Sequence, residues 1–295
     1  MSVFRTLLFA PGNHPRRVEK AFTLGADAVI LDLEDACAVS EKVATRPVVV
    51  EALRRPRSCL GYVRINGLGT EFAYGDLQAA VTHGVDGIIV PKIEFPDELR
   101  TVEWIVSQLE RERGLGQGAI DVIPILESGA GLAKAGAIAA SGTRVRRLAF
   151  GAGDFTLDMG LTWTREETEL LPYRSAVVLA SRAAGLEPPI DTVYIDLRDP
   201  DGFRVSARRA RELGFQGKLC IYPDQVGPAN DAFTPSDREV EQARRVVDAF
   251  AEAEAQGSSS FQLDGRFVDY PIVYQAQRVL AAVEKIAGRR TAVSA

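Results

Sequence analysis

Short apolar or β-branched runs recur along the chain, and each is followed by a longer stretch whose apolar positions fall three or four residues apart. The runs cover 6–10, 28–31, 60–65, 87–90, 121–126, 146–150, 192–195 and 218–221, and this pattern predicts eight strands. The stretches 15–24, 39–53, 71–83, 96–113, 129–140, 165–184 and 201–213 read as helices. Connections of that length imply parallel neighbours, because antiparallel strands need only hairpins. Eight such units close into an α/β fold, the (β/α)8 barrel; an open doubly wound sheet gives a similar string and is the alternative.

The pattern changes after the eighth run. Thr234-Pro235 followed by Asp237 reads as an N-cap, a proline at the first helical position and an acidic residue in the first turn, opening a helix to about Ala255. A flexible break over 257–260, the segment FQLDGRFVDYP and an amphipathic stretch over 272–286 complete the chain. The expected organisation is a barrel over 1–232 and a helical extension and lid over 233–295, too small for a core of its own and so packed on the barrel or on a neighbouring subunit.

Composition supports an enzyme-sized globular body. The chain has 295 residues, 46% hydrophobic and 25% charged, so it can bury a core and solvate its surface. A net charge of −5 without a basic block argues against nucleic acid as a partner, while leaving room for a local basic pocket. The first apolar run contains Arg5 and meets Pro11-Gly12 at once, which fits neither a signal peptide nor a membrane span, and cytoplasmic solubility is the expectation. Cys37, Cys59 and Cys220 form no paired motif and are expected to be reduced and mostly buried. With only His14 and His83 present, zinc sites and serine triads are disfavoured, and carboxylates, arginine and lysine are left to carry the chemistry.

In such a barrel the site lies at the C-terminal ends of the strands. The residues there are Pro11-Gly12-Asn13, then Asp32 with Glu34 and Asp35, Arg64 and Asn66, Pro91-Lys92, Glu127, Gly153-Asp154, Asp196 and Tyr222-Pro223. Carboxylates crowded in one mouth repel and are costly to desolvate, so such a cluster usually holds a cation or a shared proton. Oxygen donors without histidine or thiolate pairs point to magnesium or manganese, and Glu127 with Asp154, from adjacent strands, fit as ligands. For Asp32, Glu34 and Asp35 the plainer reading is capping or support of the site. Arg64 could simply neutralise the cluster, Lys92 could pair with Glu94, and His83 is expected to be structural.

Taken in order, LLFAPGNHPRRVEKAFTLGADAVILDLEDA, VRING, VPKIE, PILES, FGAGDFTLDMG, GKLCIYPDQV and DGRFVDYP resemble the CitE-like lyases of the HpcH/HpaI aldolase superfamily, which include citrate lyase β-subunits and malyl-CoA or citramalyl-CoA lyases. The resemblance runs from Leu7 to Pro271 and implies a barrel, homotrimeric, that uses Mg2+ and binds an acyl-CoA. It implies Glu127 and Asp154 as metal ligands, with Glu127 also at the substrate, and Arg64 as both substrate-binding and catalytic. Phe9, Asn13, Lys20 and Lys92 are carried over to the CoA and substrate site, Lys20 toward the CoA phosphates. Glu34 and Asp269 are the other candidate catalytic groups, Asp269 on a lid that reaches an adjacent subunit. Where relatives usually read IHP, this chain has Ile221-Tyr222-Pro223, and a phenol titrates far from neutrality.

The expected reaction cleaves a 3-hydroxy-3-carboxyacyl-CoA into an acyl-CoA and an α-keto acid. The alternatives are a citryl thioester lyase subunit working in a complex, a CoA thioesterase, a Schiff-base aldolase on Lys92 and a silent binding protein.

Overall fold

The computed structural model describes residues 4–293, with side chains through Gly288. Its first half runs β1 (Thr6–Pro11), α1 (Pro15–Ala21), β2 (Ala28–Asp32), α2 (Lys42–Arg54), β3 (Leu60–Arg64), α3 (Ala73–Ala80), β4 (Gly87–Val90) and α4 (Pro96–Glu112). It continues through β5 (Asp121–Leu126), α5 (Gly129–Ala133), α6 (Ala135–Ala139), β6 (Ala149–Phe150), α7 (Ala152–Met159), α8 (Leu171–Ala183), β7 (Ile190–Asp191), α9 (Pro200–Leu213) and β8 (Gly217–Cys220). Beyond these lie α10 (Val226–Phe233), α11 (Asp237–Ala255), β9 (Phe261–Leu263), β10 (Arg266–Val268) and α12 (Tyr270–Val293). Strands β1 to β8 follow one another around a closed parallel barrel, and β8 pairs back onto β1, which excludes the open sheet.

The strands are apolar on both faces because one face fills the barrel and the other lies under the helices. All five residues of β2 are buried. Leu7, Ile30, Tyr62, Ile89, Ile123, Ile190 and Leu219 meet in the barrel interior. The outer helices present one apolar stripe each. In α4 that stripe is Leu99, Val102, Val106 and Leu109, and Glu98 folds back to accept hydrogen bonds from the backbone of Glu94 and Phe95.

Several expected boundaries move. The seventh strand is Ile190–Asp191, not 192–195, because the residues that pair with β6 and β8 are Ile190 and Asp191. The sixth is only Ala149–Phe150; Arg147, read as part of it, is buried in ion pairs with Asp121 and Glu187. The helix expected over 129–140 is two short ones, and α7 was not anticipated at all. Ser236, not Thr234, caps α11: its hydroxyl accepts from Glu239 N while the Glu239 carboxylate returns to Ser236 N.

The chain divides into two compact units, residues 4–230 and the segment from 231 onward. The second was expected to lack a core, yet it buries Ala243, Val246 and Phe250 of α11 against Val268, Val273 and Ala276. Between β9 and β10, Asp264 and Gly265 both have positive φ, the two-residue turn that matches strand twist in a hairpin. Among the described residues, no helix is long and apolar enough to cross a membrane.

Candidate active site

Strand register brings the first polar residues to one level. Pro11 on β1 pairs with Asp32 on β2, and Asp32 pairs with Arg64 on β3. On the far side, β5 and β6 pair through Leu126 and Phe150, so the next residues, Glu127 and Gly151, emerge side by side. A cleft of about 420 Å3 opens there, and its walls include Phe9, Asp32, Asp35, Arg64, Glu127, Asp154 and Thr192. A larger groove of about 590 Å3 lies within the second unit, lined by Val240, Val283 and Ile286 with Arg244, Arg245 and Asp248. It gathers no comparable set of reactive groups, and the barrel cleft is where the chemistry concentrates.

Arg64 is held on three sides. Its Nε and Nη2 donate to the two oxygens of Asp32 at 2.7 and 2.6 Å, its Nη1 lies 3.0 Å from Glu34 Oε2, and its guanidinium carbon stands 4.8 Å from the centre of the Phe9 ring. Burial works against the charge, but Asp32 and Glu34 outweigh it and hold the guanidinium firmly protonated. Burial also pushes the Asp32 carboxyl upward, and Arg64 with two backbone N–H groups more than reverses this, leaving it below the usual carboxylate range.

Lys92 sits two residues beyond β4 with φ of 55°, a left-handed conformation that costs a non-glycine residue about 1–2 kcal/mol. Its backbone N–H donates to Glu127 Oε1 at 2.7 Å, and its ammonium lies 3.0 Å from Glu34 and 3.9 Å from both Asp35 and Asp154. The alternative pairing with Glu94 is not what the structure shows; Glu94 instead accepts from the Ser128 hydroxyl. Glu34 is nearly buried between Arg64 and Lys92, and burial with Asp35 nearby raises its carboxyl above the ordinary value despite those cations.

Glu127 is strongly perturbed. Burial, followed by the charges of Glu34 and Asp154, pushes it up to about 8. Gly151 makes room for it, since a Cβ there would stand 2.6 Å from Glu127 Oε2. Asp154 enters from the first turn of α7, whose start is fixed by Ala152 N donating to Thr192 Oγ1 at 2.8 Å. Five carboxyl groups (Asp32, Glu34, Asp35, Glu127 and Asp154) thus share a mouth with two cations, Arg64 and Lys92. An all-oxygen set with that excess of negative charge suits a hard divalent cation on Glu127 and Asp154, completed by water and substrate oxygens.

Other expected residues lie elsewhere. Asn13, in the first loop, donates to Glu41 at 2.6 Å. Lys20 is exposed in the last turn of α1 and is not part of the cleft wall. Asp196, expected at the mouth, is exposed five residues past the true end of β7, where it accepts from Arg198 N; Thr192 and Val193 take its place in the wall. Asp269 precedes α12 in the second unit, its Oδ1 3.5 Å from Ile272 N. Tyr222 is partly exposed after β8, and its neighbour Ile221 reaches the cleft. His14 and His83 are both exposed.

Lys42 went unrecognised in the sequence. Its buried ammonium donates to Leu33 O, Glu34 O and Asn66 Oδ1 at 2.9, 2.6 and 2.6 Å, tying the loop after β2 to the loop after β3. The signal was its spacing, because 42, 45, 49 and 53 form the buried stripe of α2.

Comparison with known proteins gives the family. Residues 5–223 match the HpcH/HpaI aldolase/citrate lyase family. The chain is 37% identical over 278 residues to the citrate lyase subunit beta of Leuconostoc mesenteroides subsp. cremoris, covering 94% of this chain and 92% of that protein. It is 35% identical over 304 residues to the L-malyl-CoA/beta-methylmalyl-CoA lyase of Cereibacter sphaeroides, covering 96% and 95%. Among solved structures, CitE from Mycobacterium tuberculosis in complex with magnesium, acetoacetate and coenzyme A superposes with a TM-score of 0.78 at 28% identity, covering 96% of this chain and 98% of that one. The chain belongs to the HpcH/HpaI aldolase/citrate lyase family.

Proposed function

We propose that this protein is a magnesium-dependent carbon–carbon lyase that cleaves, or in reverse forms, a 3-hydroxy-3-carboxyacyl-CoA such as malyl-CoA or citramalyl-CoA. The observation that carries this reading is the buried Glu127 carboxyl beside Asp154, facing a clamped Arg64 across one cleft. Magnesium held by Glu127 and Asp154 would supply Lewis acidity to the substrate's hydroxyl and carboxylate oxygens. Arg64, permanently charged and held in one orientation, binds the carboxylate and stabilises negative charge on the reacting oxygen. The hydroxyl gives up its proton to a carboxylate of the cleft, for which we assign Glu34, the C–C bond breaks as the keto acid's carbonyl forms, and the bonding pair passes to the acyl-CoA as its enolate. That carbon then takes a proton, and Asp269 of an adjacent subunit is the group we assign to deliver it. Phe9, Asn13, Lys20 and Lys92 are the residues we assign to the CoA and substrate, and a homotrimer is the assembly proposed with them.

A Schiff base on Lys92 needs a desolvated, neutral amine. The ammonium instead stands among three carboxylates, and although burial opposes it, Glu34 raises its affinity for the proton. The similarity to citrate lyase subunit beta favours one second reading, cleavage of a citryl thioester within a larger complex. The test is a mass-resolved screen of acyl-CoA and keto-acid pairs with magnesium. A lyase releases keto acid and acyl-CoA in equal amounts and stops with EDTA. Free CoA without keto acid would make the protein a thioesterase, and activity confined to carrier-protein thioesters would favour the complex subunit.

A further inference from the structure

We infer that Asp32 is the positioning residue of the cleft, which orients Arg64 and takes no part in binding metal or substrate; this deepens the function proposed above and rests on it. Asp32 ends β2 and is 1% exposed. A carboxylate offers about four lone-pair directions. Here Oδ1 accepts from Arg64 Nε at 2.7 Å and Glu34 N at 2.9 Å, while Oδ2 accepts from Arg64 Nη2 at 2.6 Å and Ala36 N at 3.0 Å. Its acceptor capacity is therefore spent on protein donors. Glu127 differs: among the described residues it accepts one hydrogen bond, from Lys92 N, and keeps its other oxygen beside Gly151.

The clamp also determines what Arg64 can do. Asp32 occupies the Nε–Nη2 edge of the fork and Phe9 covers one face, so the Nη1 side is the one turned toward Glu34 and the cleft. Without the clamp, a long side chain with several rotatable bonds would sample many directions. The two backbone donors make the carboxylate itself rigid, because Glu34 N and Ala36 N fix it to the turn that follows β2. Asparagine at position 32 keeps the shape but turns one acceptor oxygen into an N–H2 group, which would face both a donor of Arg64 and one of the backbone. The fork must then release one side.

The experiment is a double-mutant cycle of Asp32→Asn with Arg64→Lys, scored by kcat, KM and calorimetric Mg2+ affinity. Asp32→Asn is expected to lower kcat about 100-fold, the usual consequence of misplacing a reacting group by about an ångström, and to leave Mg2+ affinity within about twofold. In the Arg64→Lys background the same change is expected to cost less than about threefold, because the geometry it protects is already lost. An equal loss in both backgrounds would overturn the inference. So would a loss of Mg2+ binding as large as that of Glu127→Gln, since Asp32 would then be a ligand. Thermal unfolding tests the pair independently of turnover: Asp32→Asn/Arg64→Met is expected to melt above Arg64→Met alone, which leaves Asp32 buried without its cation. Additive shifts in Tm would overturn the pairing even if the wild-type protein cleaved none of the thioesters tried, an outcome that would count against the lyase reading alone.

Discussion

Each end of the barrel stacks an arginine on a phenylalanine. At the N-terminal end the Arg147 guanidinium lies 4.1 Å from the ring centre of Phe4, and at the mouth Arg64 lies 4.8 Å from that of Phe9. The two differ in how the surrounding charge is balanced. Arg147 is fully buried, paired with Asp121 and Glu187, and Arg146 adds a second cation 3.8 Å from Asp121. Two cations thus meet two carboxylates, and Tyr62 closes the set by donating its hydroxyl to Asp121 at 2.8 Å. At the mouth, five carboxyl groups face two cations. The lower end is a neutral plug, as expected where a barrel is built for stability, and the upper end keeps an unspent negative charge that a divalent cation would relieve.

The largest expected effect separates these roles directly. Glu127→Gln is expected to reduce magnesium-dependent turnover on the order of 10³-fold, the scale of removing a group that stabilises developing charge, without lowering Tm, because the substitution removes a strained buried carboxyl. Arg147→Met is expected to do the reverse. It takes the buried cation from Asp121 and Glu187, leaving Asp121 with only Tyr62 and the more distant Arg146, and should cost about 3 kcal/mol of stability, within the range for breaking a buried ion pair, while kcat per folded molecule stays unchanged. Chemical denaturation and turnover measured on both variants check the contrast. If Glu127→Gln melted as early as Arg147→Met, the mouth would be a second structural plug.

A pH series sharpens the same contrast with less perturbation. Glu127 has an ordinary value of 4.5 and is raised to about 8 in the fold. Between those two values the folded chain holds a proton that the unfolded chain has lost, so this group's contribution to stability falls as pH rises from about 4.5 to about 8 and is constant above. Glu34, also raised, acts in the same direction, whereas Asp32, lowered, contributes stability that is lost only in acid below its ordinary value of 3.8. Since the metal needs the carboxylate, Mg2+ affinity is expected to climb about tenfold per pH unit below about 8 and then level off. Calorimetric titrations at pH 6, 7, 8 and 9 would show this; a flat profile would mean that Glu127 is already ionised without metal.

How much of this was legible in the sequence follows the same divide. Strands buried on both faces, such as the AVILD of β2, announce themselves as unbroken apolar runs, and the polar residues at and past their ends delivered Arg64, Glu127 and Asp154 to one cleft, with the Lys92 ammonium 3.9 Å from Asp154. β7 did not, because its two residues are Ile190 and a charged Asp191 that lies among Arg174 and Lys218, and the apolar run that looked like a strand follows it. Local pattern carries no information about a partner far away in sequence. For the same reason Lys42, a charge on a buried helical stripe, drew no notice in the sequence; its partners Leu33, Glu34 and Asn66 converge on it only in the fold.

The smallest expected effects come from deleting one hydroxyl at each end. Tyr62→Phe removes the hydrogen bond to Asp121, which keeps Arg147 as a partner, so the loss should be about 1 kcal/mol, the net worth of one such bond, with no change in kcat or KM. Thr192→Val removes the acceptor for Ala152 N at the start of α7 and leaves that buried N–H without its partner. Its cost in stability should be similar, about 1–2 kcal/mol, but it also frees the helix end that delivers Asp154, two residues further on. Mg2+ affinity should therefore fall by about three- to tenfold in Thr192→Val and by nothing measurable in Tyr62→Phe. Equal stability losses with unequal metal affinities would show that similar hydrogen bonds support the neutral plug at one end and the placement of a charged ligand at the other. Equal metal affinities would instead mean that the cleft walls, rather than the helix start, hold Asp154 in place.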